Sequence, residues 1–483
     1  MRMLLCAWAL LTAGCSLFLA APTGESEGEG EGEEGEGEGE GEEGEGEGEG
    51  EGEGEGEGEG EGEGEGEGEG EDEVCGNDFK APSEACDDGN GNDDDGCDAN
   101  CQPSRATRVV AGNQFTCALL ASGNVKCWGR NNFGQLGQGT TQSIGDNESP
   151  ADIGTVSVGD RVTDISAGLE HVCVVTRGGR VFCWGNGADG RLGYGNTDNI
   201  GDDETPAVDV DVGGLASSVA AGGAHTCALL RDGGIVCWGI GINGATGQGT
   251  DVNVGDDGVP PMPPARVRLP QGATGVSLAL GSNHSCAITT IGLFCWGANG
   301  QGQLGTNVAT QVGSGVAYEL EETVVAATLQ VTCGRQFTCV DVGNAWSCFG
   351  RNDLGQLGRG NTTGGGPFAP VPRVGLQQLA TGDSHACALT ADATVMCWGL
   401  NANGQLGLGN QLNVGDTEAP TDALNLGVEA IDVAAGAHHS CAVTAAGGVR
   451  CWGLGVDGAL GLGDSVTIGD TETPGSVDAV VLF

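Results

Sequence analysis

Aromatic and basic residues are scarce in this chain. Of its 483 residues, 4% are aromatic, and 18 Lys and Arg stand against 69 Asp and Glu, a formal net charge of −51. A balance so acidic disfavours nucleic acid as a partner. No apolar run is long enough to span a bilayer as a helix. There is no G-x-S-x-G, no H-E-x-x-H, no P-loop and no dinucleotide fingerprint in a strand-helix setting, so no catalytic residue is assigned. What the chain has in plenty is glycine, 95 residues, and cysteine, 21.

The cysteines are periodic. Seven pairs recur: Cys117-Cys127, Cys173-Cys183, Cys227-Cys237, Cys286-Cys295, Cys339-Cys348, Cys387-Cys397 and Cys441-Cys451. Each first cysteine follows a stretch such as "VAAGAHHSC", and each second one precedes Trp-Gly, except Cys348 in "CFG". Versions of "GQLG" follow in most units, at Gly134–Gly137, Gly302–Gly305, Gly355–Gly358 and Gly404–Gly407. A period of this size signals a repeat architecture. The segments "CAVT" and "VRCW" are short, apolar and separated by glycines, which predicts a hairpin. Folding it with Cys441 opposite Cys451 puts the turn on Ala445–Gly447 and Val443 across from Val449. Directly opposed residues of an antiparallel pair lie about 4.5–5.5 Å apart at Cα, which suits a disulfide. Two thiolates across one hairpin lack the further ligands zinc requires.

The N-terminus bears on whether such bridges form. "MRMLLCAWALLTAGC" has an early Arg2, an apolar core and small residues before Cys15, the pattern of a secretory signal. "TAGC" resembles a bacterial lipobox, which implies removal of residues 1–14 and lipidation of Cys15. Export permits disulfides. Residues 15–74 then form a linker. From 24 to 73 it is nearly pure Gly-Glu, with 27 acidic residues and no basic one. Nothing there can bury a core, so the expectation is a solvated stalk spanning roughly 40 Å as a random coil.

Residues 75–101, "CGNDFKAPSEACDDGNGNDDDGCDANC", hold four cysteines in a segment too small for a core. Two disulfides among Cys75, Cys86, Cys97 and Cys101 are expected, in any of three connectivities. The run "CDDGN…DGC…C" resembles a Cys-rich repeat of myxobacterial-type surface proteins. Asp87, Asp88, Asn90, Asn92 and Asp94 carry the hard oxygens Ca²⁺ prefers, and calcium is the one cofactor suggested. The spacing is not that of an EF-hand, since Asp93 and Ala99 take the key Gly and Glu places, and an acidic turn is the stronger reading.

Residues 102–483 carry "H-x-C-A-L…G-x-V-x-C-W-G…G-Q-L-G", which resembles the regulator-of-chromosome-condensation (RCC1-type) repeat across all seven units. The resemblance implies an all-β, seven-bladed β-propeller with four-stranded blades. The abrupt start "ATRVVAGNQFTCALL" and the end "PGSVDAVVLF" read as complementary fragments of one repeat, which predicts a last blade completed by the N-terminal strand. Trp128, Trp184, Trp238, Trp296, Trp398 and Trp452 are expected between blades. His171, His225, His284, His385 and His439 stand two before a first cysteine, a place that Phe115 and Phe337 take in the other units, so a structural role is expected. Cys333, which aligns with Ala435, reads as a buried thiol. In "IGDNESP" and its four relatives, Asp146, Asp202, Asp256, Asp416 and Asp470 read as turn caps rather than calcium ligands with Glu148, Glu204, Glu418 and Glu472.

The function these features favour is a monomeric, lipid-anchored, non-enzymatic interaction scaffold in the cell envelope or on the cell surface, with the outer membrane of a Gram-negative bacterium as the expected site. It would present propeller loops to a protein partner, an enzyme to be inhibited being one case. The alternative is an exported hydrolase acting on envelope or external polymers.

Overall fold

The computed structural model describes residues 75–483 except 78–79, 81–83, 99, 258–261, 307–321, 324–327, 344, 366–368 and 372–374. The signal segment 1–14, Cys15 and the linker 15–74 lie outside the described residues.

Seven antiparallel sheets follow one another along the chain. In the first, β1 (Ala106–Ala111) pairs with β2 (Phe115–Leu120), and β2 with β3 (Val125–Gly129). β2 is buried on both faces because blades stack on either side of it, which is why "FTCALL" is unbroken by any charge. A fourth strand is reduced to one bridge, Val125 with Val156. The last blade repeats this with Ala430–Ala435, His439–Thr444, Val449–Gly453 and the bridge Val449 to Val480.

The hairpin register is the one anticipated. Cys441 faces Cys451 and Val443 faces Val449. All seven predicted hairpin bridges are formed, with Cα atoms 4.0–4.1 Å apart, closer than an unlinked pair.

The closure expected from the chain ends is corrected. Each blade is built from one continuous stretch. "VDAVVLF" supplies the outer edge of its own last blade through Val480, and β1 is the innermost strand of a complete first blade. The ring shuts by blade-to-blade packing. Ala106 N–H donates to Gly447 O at 2.8 Å, as Val162 does to Gly123 O and Ala216 to Gly179 O. Asp432 accepts from Val109 N at 2.8 Å. Past Val480 the chain crosses onto blade 1, where Leu482 O accepts from Lys126 Nζ at 2.7 Å and Ser149 Oγ donates to Val481 O at 3.1 Å. Burial holds the Lys126 ammonium below its ordinary pKa.

Around the axis runs a ring of seven glycines: 112, 168, 222, 281, 334, 382 and 436. A Cβ on any one would collide with the carbonyl of the next, and Gly436 meets Gly112 as the others meet their neighbours. Glycine is required here for close approach of backbones, not for positive φ.

The Cys-rich module departs from expectation. It contains one disulfide, Cys86–Cys97, while Cys75 and Cys101 are thiols. Cys75 Sγ donates to Asp98 O at 3.2 Å, and desolvation together with its neighbour Cys75 pushes the Cys101 thiol up to about 12. Module and ring belong to one compact unit. The module seats on blade 1 through Asp94 Oδ2, which accepts from Ser122 Oγ at 2.8 Å and Asn124 Nδ2 at 2.7 Å.

Candidate interaction surfaces

The repeated polar residues are consumed between blades. His439 Nε2 lies 2.8 Å from Thr116 Oγ1 of the next blade. His171 pairs likewise with Thr226 at 2.8 Å, and His225 with Ser285, His284 with Thr338 and His385 with Ser440, each at 2.9 Å. Each hydroxyl donates its single proton to a carbonyl of the preceding blade's loop: Ala459, Arg191, Ala245, Gln303 or Gln405, at 2.8–3.0 Å. The imidazole must therefore donate from Nε2. Protonation would add a proton at Nδ1, which in His171, His225, His284 and His385 faces the glycine ring. Burial accordingly holds the ring pKa near 4 in His225 and His439, near 3 in His284 and His385, and well below 6.5 in His171.

Phe115 and Phe337 occupy the same slot in the other two seams. The residues opposite them, Val172 and Ala386, are buried and apolar. This covariation is visible in the sequence one position after each His or Phe, but reading it requires knowing that blade n faces blade n+1. The indoles join the same system. Trp238 Nε1 donates to Arg191 O, Trp296 to Ala245 O and Trp452 to Gln405 O, each at 3.0 Å. Cys333 is buried, donates to Ala279 O, and its thiol is pushed up to about 12 by burial.

The module's acidic residues are engaged as turn anchors. Asp87 accepts from the backbone N–H of Gly76, Asn77 and Gly89, Asp88 from Cys97 N, and Asn90 Oδ1 from Asn92 N. Among the described residues the one convergent acidic group is Asp202, Asp203 and Glu204. There a hydrogen bond from Asp203 and desolvation raise Glu204 to about 7. In the repeated acidic turns it is the glycine that interlocks blades: Gly201 packs on Gly134 and Gly415 on Gly355. Asp202 and Asp470 accept from the side chains of Asn199 and Gln411, so their role as backbone caps is not what the structure displays.

With those residues accounted for, variation is left to the two rims. On the loop rim, the pair of residues between each ring glycine and the His or Phe differs in every blade. Arg335, Asp383 and Ala437 from these pairs line an axial cavity of about 80 Å³ with the glycines. Arg335 Nη1 donates to Asp383 Oδ2 at 3.4 Å. Burial raises Asp383 even so, against the opposing charges of Arg335, His438 and Arg351. This cluster was missed because its members are far apart in sequence and belong to no repeat. It offers charge and hydrogen bonds, but no hydroxyl or thiol nucleophile is bonded to an imidazole at the mouth among the described residues.

Comparison with known proteins agrees with the geometry. Models of the regulator of chromosome condensation (RCC1) repeat match residues 106–135, 162–191, 216–245, 276–303, 377–405 and 430–459, and, for a longer form, 122–175, 178–229 and 392–443. The Arabidopsis thaliana ultraviolet-B receptor UVR8 is 30% identical over 389 residues, covering 78% of this chain and 83% of that protein. The chain belongs to the RCC1 repeat family. The mitochondrial RCC1 domain-containing protein RUG3 of A. thaliana is 31% identical over 366 residues, 69% of this chain and 78% of that one. Among solved structures, human WBSCR16 superposes with a TM-score of 0.60 at 24% identity, over 70% of this chain and 87% of its own. Yeast RCC1 (Prp20) bound to Kap60 gives 0.59 at 21%, over 72% and 82%. Both support the fold alone. The RCC1-type propeller expected from the motifs is thus the fold, and such propellers bind protein partners.

Proposed function

We propose that this protein is an exported, lipid-anchored, non-enzymatic scaffold that displays an RCC1-type ring to a protein partner at the cell envelope, an extracellular enzyme to be inhibited being one case. The observation that carries the reading is the division of labour in the ring. Repeated His, Trp and Gly are spent on blade seams, the paired Cys on the hairpin inside each blade, and the non-repeating charged residues stand on the rims. A rigid frame with variable rims is a recognition device. Seven bridges, each closing a loop of about ten residues, suit an oxidising compartment.

Proximity labelling from the anchored propeller in intact cells tests the scaffold. Enrichment of one envelope protein supports it, and labelling no different from an anchored unrelated domain overturns it. The anchor is tested separately: Cys15→Ser should release the protein from membranes, and unchanged membrane fractionation would refute lipidation. The hydrolase alternative has one feature in its favour: Asp383 lines the axial cavity and lies within reach of the charge of His438. A hydrolytic activity abolished by His438→Ala in a folded protein would establish it.

A further inference from the structure

The rim opposite the axial mouth holds an unusual set of cations. The propeller has 16 basic and 34 acidic residues, yet four arginines are exposed on this rim: Arg177 and Arg180 in the hairpin turn of blade 2, Arg231 in that of blade 3, and Arg161 at the entry to blade 2, against the turn of blade 1. None forms an ion pair among the described residues. Three of the four guanidinium groups are held in place. Arg231 Nη2 donates to Arg177 O at 2.9 Å, and Arg161 Nη2 to Ala121 O at 2.7 Å. The Arg180 guanidinium lies 5.2 Å from the centre of the Phe182 ring. A guanidinium has five N–H donors, so most remain open in each. Arg231 and Leu215 together cover Gly179.

Beside them runs a groove of about 310 Å³, lined by Gly179, Arg180, Val210, Val212 and Leu215 together with Asp209 and Asp211. Val208 and Leu215 at its edge are 68% and 51% exposed. Blade 1 shows what such a turn accepts. There the module's Asp94 bonds Ser122 and Asn124, and Asn124 stands where blade 2 has Arg180, one residue before the third strand in each case. The same turn in blade 2 substitutes a cation for an amide.

We propose that this groove is a docking site for a segment of a partner protein in which an apolar side chain is flanked by carboxylates. The arginines would take the carboxylates, and Val208, Leu215 and the valine floor the apolar group. Asp209 and Asp211 oppose a uniform polyanion, which separates this ligand from a polysaccharide sulfate or a phospholipid surface. The proposal rests on the scaffold reading and deepens it by naming a face and a partner chemistry.

The test uses the mature exported protein and a fluorescein-labelled dodecapeptide of alternating Asp and Leu, read by anisotropy. Binding should weaken about tenfold or more in the triple variant R177Q/R180Q/R231Q, since exposed charge pairs each contribute modestly. It should weaken several-fold in Leu215→Asp, and stay unchanged in R105Q/R268Q on the same rim outside the groove. A Lys-Leu peptide should not bind. Absence of binding by the wild type, equal binding by the triple variant with an unchanged melting temperature, or full competition by heparin would each overturn the proposal. Should the triple variant misfold, Leu215→Asp alone decides: full binding refutes the groove. In cells, a partner still labelled by the triple variant would sink the groove and leave the scaffold standing. A wild type that labels nothing would sink the scaffold itself.

Discussion

Two kinds of seam hold the ring together. In five, a histidine meets a serine or threonine across the blade boundary. In the two others, Phe115 faces the Val172 position and Phe337 the Ala386 position. No seam mixes the classes. The slot is fully buried in both, so an imidazole is tolerated only with a hydroxyl to take its proton, and a phenyl ring only without one. The polar seams add direction, since the hydroxyl passes its own proton to a loop carbonyl and ties three chain segments at one point. The apolar seams rely on burial alone. Acid should separate the two kinds.

The largest effect should come from pH. The five histidines have folded-state pKa values depressed by burial, so above about 6.5 both states are neutral and stability is at its full value. As pH falls below 6.5 the unfolded chain takes up protons that the folded ring refuses, and stability is lost down to about pH 3–4. At pH 5 each of His225, His284, His385 and His439 costs about 2 kcal/mol, on the order of 8 in sum, and His171 adds in the same direction. Asp432 and Asp383, raised by burial, act in the opposite sense and return part of it. Calorimetry between pH 7.5 and 4.5 should show a steep fall in melting temperature, and a flat profile would contradict the buried-neutral assignment.

Gly168→Ala should come next, at about 3 kcal/mol, because the new methyl would overlap both His171 and the Gly222 carbonyl. Denaturant titration would detect it, and Gly112→Ala in an apolar seam should lose a similar amount against Phe115. Thr116→Val, which strands the His439 N–H, should cost about 2 kcal/mol. The smallest change belongs to the double variant His439→Phe with Thr116→Val. It rebuilds an apolar seam and should recover to within about 1 kcal/mol of wild type, with one-fifth of the acid lability removed. A double variant as weak as Thr116→Val would show that the two seams are not interchangeable.

Much of this was legible in the chain. The period, the facing cysteines and the Gly-rich turns are local, and they dictated hairpins such as Cys441 to Cys451 without reference to anything distant. The histidines could be judged structural because Phe115 and Phe337 share their place. Other features could not be read. The incomplete look of "ATRVV" and "VDAVVLF" suggested a shared blade, but which strand an end pairs with is a choice between two edges equally rich in valine. The contacts of Leu482 with Lys126 and of Val109 with Asp432 decide it. The module's pairing could not be read for a related reason, since it depends on the path of a coreless loop: Cys86 bridges Cys97, and Cys75 and Cys101 meet as neighbouring thiols.

What the sequence determined by itself is therefore the blade: strand lengths, hairpin register, the bridge across each hairpin and the glycines where backbones nearly touch. These follow from interactions within some fifty residues, repeated until one solution satisfies all seven. What the tertiary structure alone decided is everything made by neighbours that are not neighbours in sequence. The pairing of each imidazole with the next blade's hydroxyl and the gathering of Arg161, Arg177, Arg180 and Arg231 on one rim arise only when blade packs on blade, and the meeting of Gly436 with Gly112 and of His439 with Thr116 only when the ring closes. Closure is set by the sum of seven seam geometries, and no single repeat contains that sum.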